Sequence, residues 1–109
     1  MANTFKLKTK ANVGVTTVGI YTAPAATTTV LIGITLANTS GSGVNVGVGI
    51  TRAGTTEDVK LLKNAPIPSG SSLEFMAGNK VVLQTTDTLT VDSDTNNSVD
   101  AALTIMEIT

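Results

Sequence analysis

The chain has no cysteine, no histidine and no tryptophan, and its 109 residues include one tyrosine and two phenylalanines. Without cysteine there is no disulfide, no thiolate metal site and no thiol nucleophile, and the redox compartment leaves no trace. Without histidine the usual general base and the commonest metal ligand are gone. Phe5, Tyr21 and Phe75 are too few rings to stack on a sugar or a base. Charge is scarce at 14% of residues, with 7 Lys and Arg against 8 Asp and Glu for a net −1. That balance excludes the basic surface by which proteins displace counterions from nucleic acid. It also leaves little self-repulsion, which suits a chain that assembles with copies of itself. The longest apolar run, Val30 to Ile34 interrupted by Gly33, falls far short of the roughly 20 residues of a membrane helix. The opening MANTFKLKTKANVG lacks the apolar centre of a signal peptide. A soluble domain with no membrane partner is the expectation.

What is present is β-forming. Hydrophobic residues make up 41% of the chain, enough for one domain over 1–109 that buries about two-thirds of its unfolded surface. Alternation with period two is clearest in Val30, Ile32, Ile34, Leu36, in Val44, Val46, Val48, Ile50, and in Val99, Ala101, Leu103, Ile105. In each, one pleat face is aliphatic and the other carries Thr, Gly, Asn or Asp, as in strands packed on one side. Nine strands are predicted at Thr4–Lys10, Val15–Thr22, Thr28–Asn38, Val44–Arg52, Asp58–Lys63, Ser72–Met76, Lys80–Gln84, Thr88–Asp92 and Ser98–Ile108. The breakers between them include Pro24, the Asn38–Gly43 turn, Gly54, the Pro66–Gly70 stretch, Gly78-Asn79 and Asp94–Asn97. All three prolines are expected in connections, where a missing N–H harms no ladder. Short strands at this spacing describe an all-β fold, an antiparallel sandwich of immunoglobulin-like or jelly-roll type with little or no helix. Residues 1–12 read as an N-terminal arm or an edge strand.

Candidate site residues are few. Lys6, Lys8 and Lys10 line one face of the first strand, opposite Phe5 and Leu7. Lysines there discourage unwanted strand pairing on an edge; alternatively the row grips an acidic patch on a partner. Gly47 and Gly49 share a pleat face and leave it bare, through a bulge or twist or to admit another backbone from a neighbouring subunit. Asp92, Asp94 and Asn96 space oxygens like the opening of a calcium loop. Position six is Asn97 where glycine is needed and position twelve is Leu103 where glutamate is needed, so a polar hairpin turn explains them better. Asn38-Thr39-Ser40 and Asn96-Asn97-Ser98 match the glycosylation acceptor pattern as any Asn- and Ser-rich chain does. Hydroxyls abound without a histidine to activate them, and no glycine-rich loop leads into a helix. No enzymatic activity, cofactor or small-molecule substrate is expected.

Three stretches in order carry a resemblance. Tyr21-Thr22-Ala23-Pro24-Ala25 runs into a Thr-rich strand start, Leu36-Ala37-Asn38-Thr39-Ser40-Gly41-Ser42 closes a strand in an Asn-Thr/Ser-Gly turn, and Ala65-Pro66-Ile67-Pro68-Ser69-Gly70-Ser71-Ser72-Leu73 forms a Pro-Gly connection. From about Tyr21 to Thr109 the sequence resembles small β-sandwich virion structural proteins of tailed bacteriophages. The resemblance implies a virion component, either a capsid decoration (cement) protein or a tail, neck or fibre subunit, and brings no catalytic residues. Its partners would be copies of itself in a cyclic homo-oligomer, a trimer for preference, and the major capsid or other virion proteins, after assembly in the host cytoplasm. The expected contact residues are Lys6, Lys8, Lys10, Gly47, Gly49, Asn38, Ser40, Pro66 and Pro68. A host-glycan-binding module on a fibre is the alternative from another class.

Overall fold

A computed structural model describes residues 3–52, 57–75 and 81–109. The strands, in chain order, are β1 (Asn3–Val13), β2 (Val18–Thr22), β3 (Thr28–Asn38), β4 (Val44–Arg52), β5 (Glu57–Ile67), β6 (Ser72–Phe75), β7 (Val81–Leu83), β8 (Thr88–Ser93) and β9 (Val99–Ile108). Among the described residues there is no helix. One sheet has the order β1-β9-β3-β6 with β7 also on β3, and the other has the order β2-β8-β4-β5. All pairings are antiparallel, and five of them nest: β4 with β5, β3 with β6 and β7, β2 with β8, and β1 with β9; the pairings of β3 with β9 and of β4 with β8 join these ribbons into sheets. Along the chain the strands cross from sheet to sheet except at β4–β5 and β6–β7, a long doubled ribbon rolled on itself. That arrangement is a jelly roll.

The core lies between the sheets, with Leu31, Leu36, Val48, Leu83, Leu89, Leu103 and Ile105 fully buried. The alternations read in β4 and β9 point inward as a block: Val44, Val46, Val48 and Ile50 from one, and Val99, Ala101, Leu103 and Ile105 from the other. The alternation read in β3 does not hold. Leu31 pairs with Ile105 and Gly33 with Thr104, so Ile32 is an extra residue in a bulge. The bulge swaps faces: Leu31, Ile34 and Leu36 are buried while Val30 and Ile32 are only half-buried. A one-residue slip moves every side chain beyond it to the other side of the sheet.

Other boundaries differ for physical reasons. β5 runs on to Ile67 and includes Pro66, opposite Asn45, so Pro66 is a strand residue and not part of a connection. β5 is the outermost strand of its sheet, where a proline takes no N–H from a shared ladder. Pro68, Ser69, Gly70 and Ser71 form the turn into β6, closed by Ser71 N donating to the Pro68 carbonyl at 3.1 Å. Gly70 has φ +73°, the conformation that a type II turn demands of its third residue. The expected breakers Gly54 and Gly78-Asn79 and the strand-end residues Met76 and Lys80 lie outside the described residues.

Candidate interaction surface

The nested topology gathers several connections at one end of the roll, including two expected to touch partners. Asn38, at the end of β3, is buried. Its side-chain amide donates to the carbonyls of Ser42 at 2.8 Å and Ile67 at 2.9 Å, and its Oδ1 accepts from Ser40 N at 2.9 Å. The Ser40 hydroxyl lies 2.7 Å from Asn38 Oδ1, and Ser69 Oγ donates to the Ser40 carbonyl at 2.9 Å. The Asn38–Gly43 and Pro66–Gly70 segments are therefore tied together by Asn38. The expectation that Asn38 is an exposed contact is corrected: its polar atoms are consumed inside. Pro66 and Pro68 are exposed nearby.

β1 forms one border of the first sheet, and its lysines stand opposite buried residues: Lys6 faces Ile105, Lys8 faces Leu103 and Lys10 faces Ala101. They are on the inward side of the sheet, at its rim, while Phe5 and Leu7 point away. Lys6 Nζ meets Glu107 Oε1 at 2.9 Å, and Lys8 Nζ stands 6.0 Å from the centroid of the Tyr21 ring, the outer limit of a cation–π contact. Tyr21 OH donates to Glu107 Oε2 at 2.6 Å and lies 2.8 Å from Thr29 Oγ1. One polar cluster thus joins β2 of the second sheet to β1, β3 and β9 of the first. Sequence reading missed it because Tyr21 and Glu107 are 86 positions apart and only the roll brings them together.

Burial, with the Glu107 hydrogen bond next, pushes the Tyr21 phenol up to about 12. The Tyr21 hydrogen bond, followed by the Lys6 one, holds the Glu107 carboxyl below its ordinary range. Glu107 therefore adds stability above the ordinary carboxylate pKa, and this is lost as pH falls through the range below it. The folded phenol keeps its proton where an unfolded one ionises, so stability also falls as pH rises from about 10 toward 12. Tyr21→Phe is expected to cost about 1.5 kcal/mol near neutrality. It should also flatten the alkaline part of a stability–pH curve measured by urea denaturation; an unchanged alkaline limb would contradict the assignment.

Gly47 and Gly49 are buried, against the expectation of a bare face open to a partner. An added Cβ at Gly47 would meet Asp92 Oδ1 at 2.5 Å, and one at Gly49 would meet the Val59 carbonyl oxygen at 2.9 Å. The face is closed by this chain's own atoms, and the glycines accommodate bulges in the β4–β5 register, which shifts on both sides of Val48. The acidic turn is likewise spent locally. Asp92 Oδ2 accepts from Thr17 Oγ1 at 3.1 Å and lies 3.9 Å from Lys60 Nζ, Asp94 Oδ1 accepts from Asn45 N at 3.1 Å, and Asn96 Oδ1 accepts from Val15 N at 3.4 Å. The three oxygens serve separate backbone and side-chain partners and do not converge. A depression of about 290 Å³ between Ile50, Val59 and Val82 has its Asp87 carboxylate held by Arg52 Nε at 3.3 Å and Gln84 N at 3.0 Å.

The outward side of the first sheet is different in kind. Across it, Phe5 pairs with Met106, Met106 with Val30, and Val30 with Val82, one apolar row over four strands. Phe5 is 68% exposed, Leu7 64% and Val82 53%. Two rows along, the paired residues are Thr9, Ala102, Thr35 and Glu74, and small side chains there leave a shallow trough of about 300 Å³ beside Ala37 and Ala102. A second depression of about 220 Å³ adjoins it around Gly33 and Thr104. The one hint in the sequence was the apolar side of β1, Phe5 and Leu7 against the lysines.

Solved structures with a similar fold exist. A chain of the Bacillus endospore appendages, described as a family of disulfide-linked pili, superposes with TM-score 0.57 at 15% identity over 99% of this chain and 87% of that one. A chain of the T13 IBDV viral particle gives 0.59 at 14% identity over 96% of this chain and 30% of that one. One from infectious bursal disease virus strain Gx gives 0.52 at 12% over 95% and 32%. The likeness is one of fold. This chain spans about a third of the length of the two viral chains. No family profile matches the sequence, and neither does any curated protein.

Proposed function

We propose that the chain is a non-enzymatic structural subunit of a virus particle, for preference a decoration or cement protein on a tailed-phage capsid. It would brace neighbouring shell subunits and associate with copies of itself about a cyclic axis. The observation that carries this reading is the outward face of the first sheet, where Phe5, Leu7 and Val82 lie exposed while the polar clusters are spent inside the fold. Exposed apolar surface of this kind marks a surface made to be covered. The fold supports the reading, since jelly rolls build viral capsids. The similar viral and appendage chains are parts of assemblies by their own descriptions. With no cysteine in this sequence, its residues can supply no disulfide to a polymer, unlike pili that are disulfide-linked.

A tail, neck or fibre position is the second reading, and a polymer of the tube or pilus kind would form rings or filaments unaided. Electron microscopy of the purified protein, followed by immunogold labelling of intact particles, separates these. Small species alone and label over the capsid are the expected results. Filaments formed alone would favour the tube, label at the tail would move the subunit there, and label on no part of a particle would overturn the proposal. A glycan-binding module is disfavoured by the burial of Tyr21, which removes one of three rings from use.

A further inference from the structure

We infer that the outward face of the β1-β9-β3 sheet is the self-association surface of the chain, and that it pairs with the same face of a second copy about a twofold axis. The inference rests on the reading of the chain as an assembly subunit and specifies the contact. Three observations point to a second copy as the occupant.

The face is complementary to itself. The Phe5–Met106–Val30 row is raised and apolar, and the Thr9–Ala102–Thr35 row is low. Four residues of strand separate them, about 13 Å, with Leu7, Thr104 and Gly33 midway. A twofold axis running across the strands at that middle row lays each copy's Phe5 and Met106 over the other's trough. Such an isologous contact closes after two copies, in place of the threefold expected from the sequence.

The charge pattern agrees. Charge on this face is sparse: at the outward positions of these strand pairings the charged residues are Glu74 and Asp100, both toward the trough end, and Lys10, from an inward position, also lines the trough. The lysines of β1 stand at inward positions, where they oppose addition of a further strand at that border. The open surface is the face, and the edge is guarded. The size suffices as well. A body of 45 × 27 × 22 Å has a broad side able to bury the roughly 800 Å² per partner of a stable interface.

The test uses the full chain. Sedimentation equilibrium of the wild type is expected to show a reversible dimer. Phe5→Ser and Ala102→Glu should each weaken it about tenfold or more, while Phe5→Leu retains it; both sites are on the surface, and thermal melts check that the variants stay folded. Thr104→Cys places a thiol at the axis in a chain with no other. Packed sheets stand about 10 Å apart, too far for a direct disulfide, so a short bismaleimide should cross-link two Thr104→Cys chains but not two Lys63→Cys chains, whose thiol lies in the other sheet. A wild type that stays monomeric at every concentration, or equal cross-linking of the two cysteine variants, overturns the inference. A dimer that behaves as stated in a protein that labels no part of a particle would sink the virion reading and leave the face standing.

Discussion

Asn38→Asp is expected to cost about 3–5 kcal/mol, a large part of what a domain this size has to lose. The amide donates to two carbonyl oxygens, those of Ser42 and Ile67, so a carboxylate there would set negative charge against two acceptors in a buried site. The substitution abolishes two hydrogen bonds and sets oxygen against oxygen in their place, without changing the shape of the side chain. Asn38→Ala removes these bonds and the two that Oδ1 accepts from Ser40, but it adds no charge and should cost less, about 2–3 kcal/mol. Urea denaturation of the three proteins gives the order directly. If Asn38→Asp proves as stable as the wild type at neutral pH, the amide is not the clasp between the two turns. Lowering the pH should partly rescue Asn38→Asp, because a protonated carboxyl can donate one of the lost bonds.

Gly49→Ala should destabilise the fold by about 1–3 kcal/mol, opposite in sign to the usual gain of about 0.5–1 kcal/mol when alanine replaces glycine inside a strand. A Cβ at Gly49 meets a backbone oxygen, that of Val59, at 2.9 Å, with Thr90 Oγ1 at 3.3 Å. A backbone carbonyl in the β4–β5 ladder cannot step aside without opening the pairing. Gly47 offers the instructive contrast. There the closest atom is Asp92 Oδ1, the far end of a side chain that can rotate, so Gly47→Ala is expected to be the milder of the pair. Melting temperatures of the two variants decide it, and equal losses would mean that the crowding at Gly49 is relieved more easily than its geometry suggests.

The sequence made the sandwich legible because its strongest signals are local. β3 and β4 have the bounds that periodicity and turn residues predicted, Thr28–Asn38 and Val44–Arg52, and the inward faces of β4 and β9 followed from alternation. What depends on register was hidden. Nothing local marks Ile32 as the extra residue of a bulge, since Val30, Ile32, Ile34 and Leu36 alternate as well on paper as any strand; the fault appears only when β9 is laid alongside. Pro66 looked like a connection because its tolerance depends on β5 being outermost, a property of the whole sheet. Asn38, Gly47 and Gly49 were singled out for features that did prove special, but their roles turned inward: a buried amide clasping two turns, and two bare α-carbons pressed against neighbouring atoms. The Tyr21–Glu107–Lys6 cluster was invisible because its members come from three strands far apart in the chain. The apolar outward row was half visible, through Phe5 and Leu7, and its completion by Met106, Val30 and Val82 needed the pairing.

The nesting of the strands also constrains how the molecule gets made. Bringing β4 to β5 closes the shortest loop, and each outer pair is cheaper once the inner one is in place, so the ribbon is expected to zip from the β4–β5 pairing toward β1 and β9. Contacts this distant in sequence put refolding on the slow scale of milliseconds to seconds. Substitutions near the bend, such as Ile50→Ala, whose residue pairs with Val59, should slow refolding, whereas those in β1 should mainly hasten unfolding, as stopped-flow chevrons would show. In that order of events Phe5 and Leu7 are among the last side chains to take their places, so the face that meets a second copy is completed only when the rest of the barrel already exists.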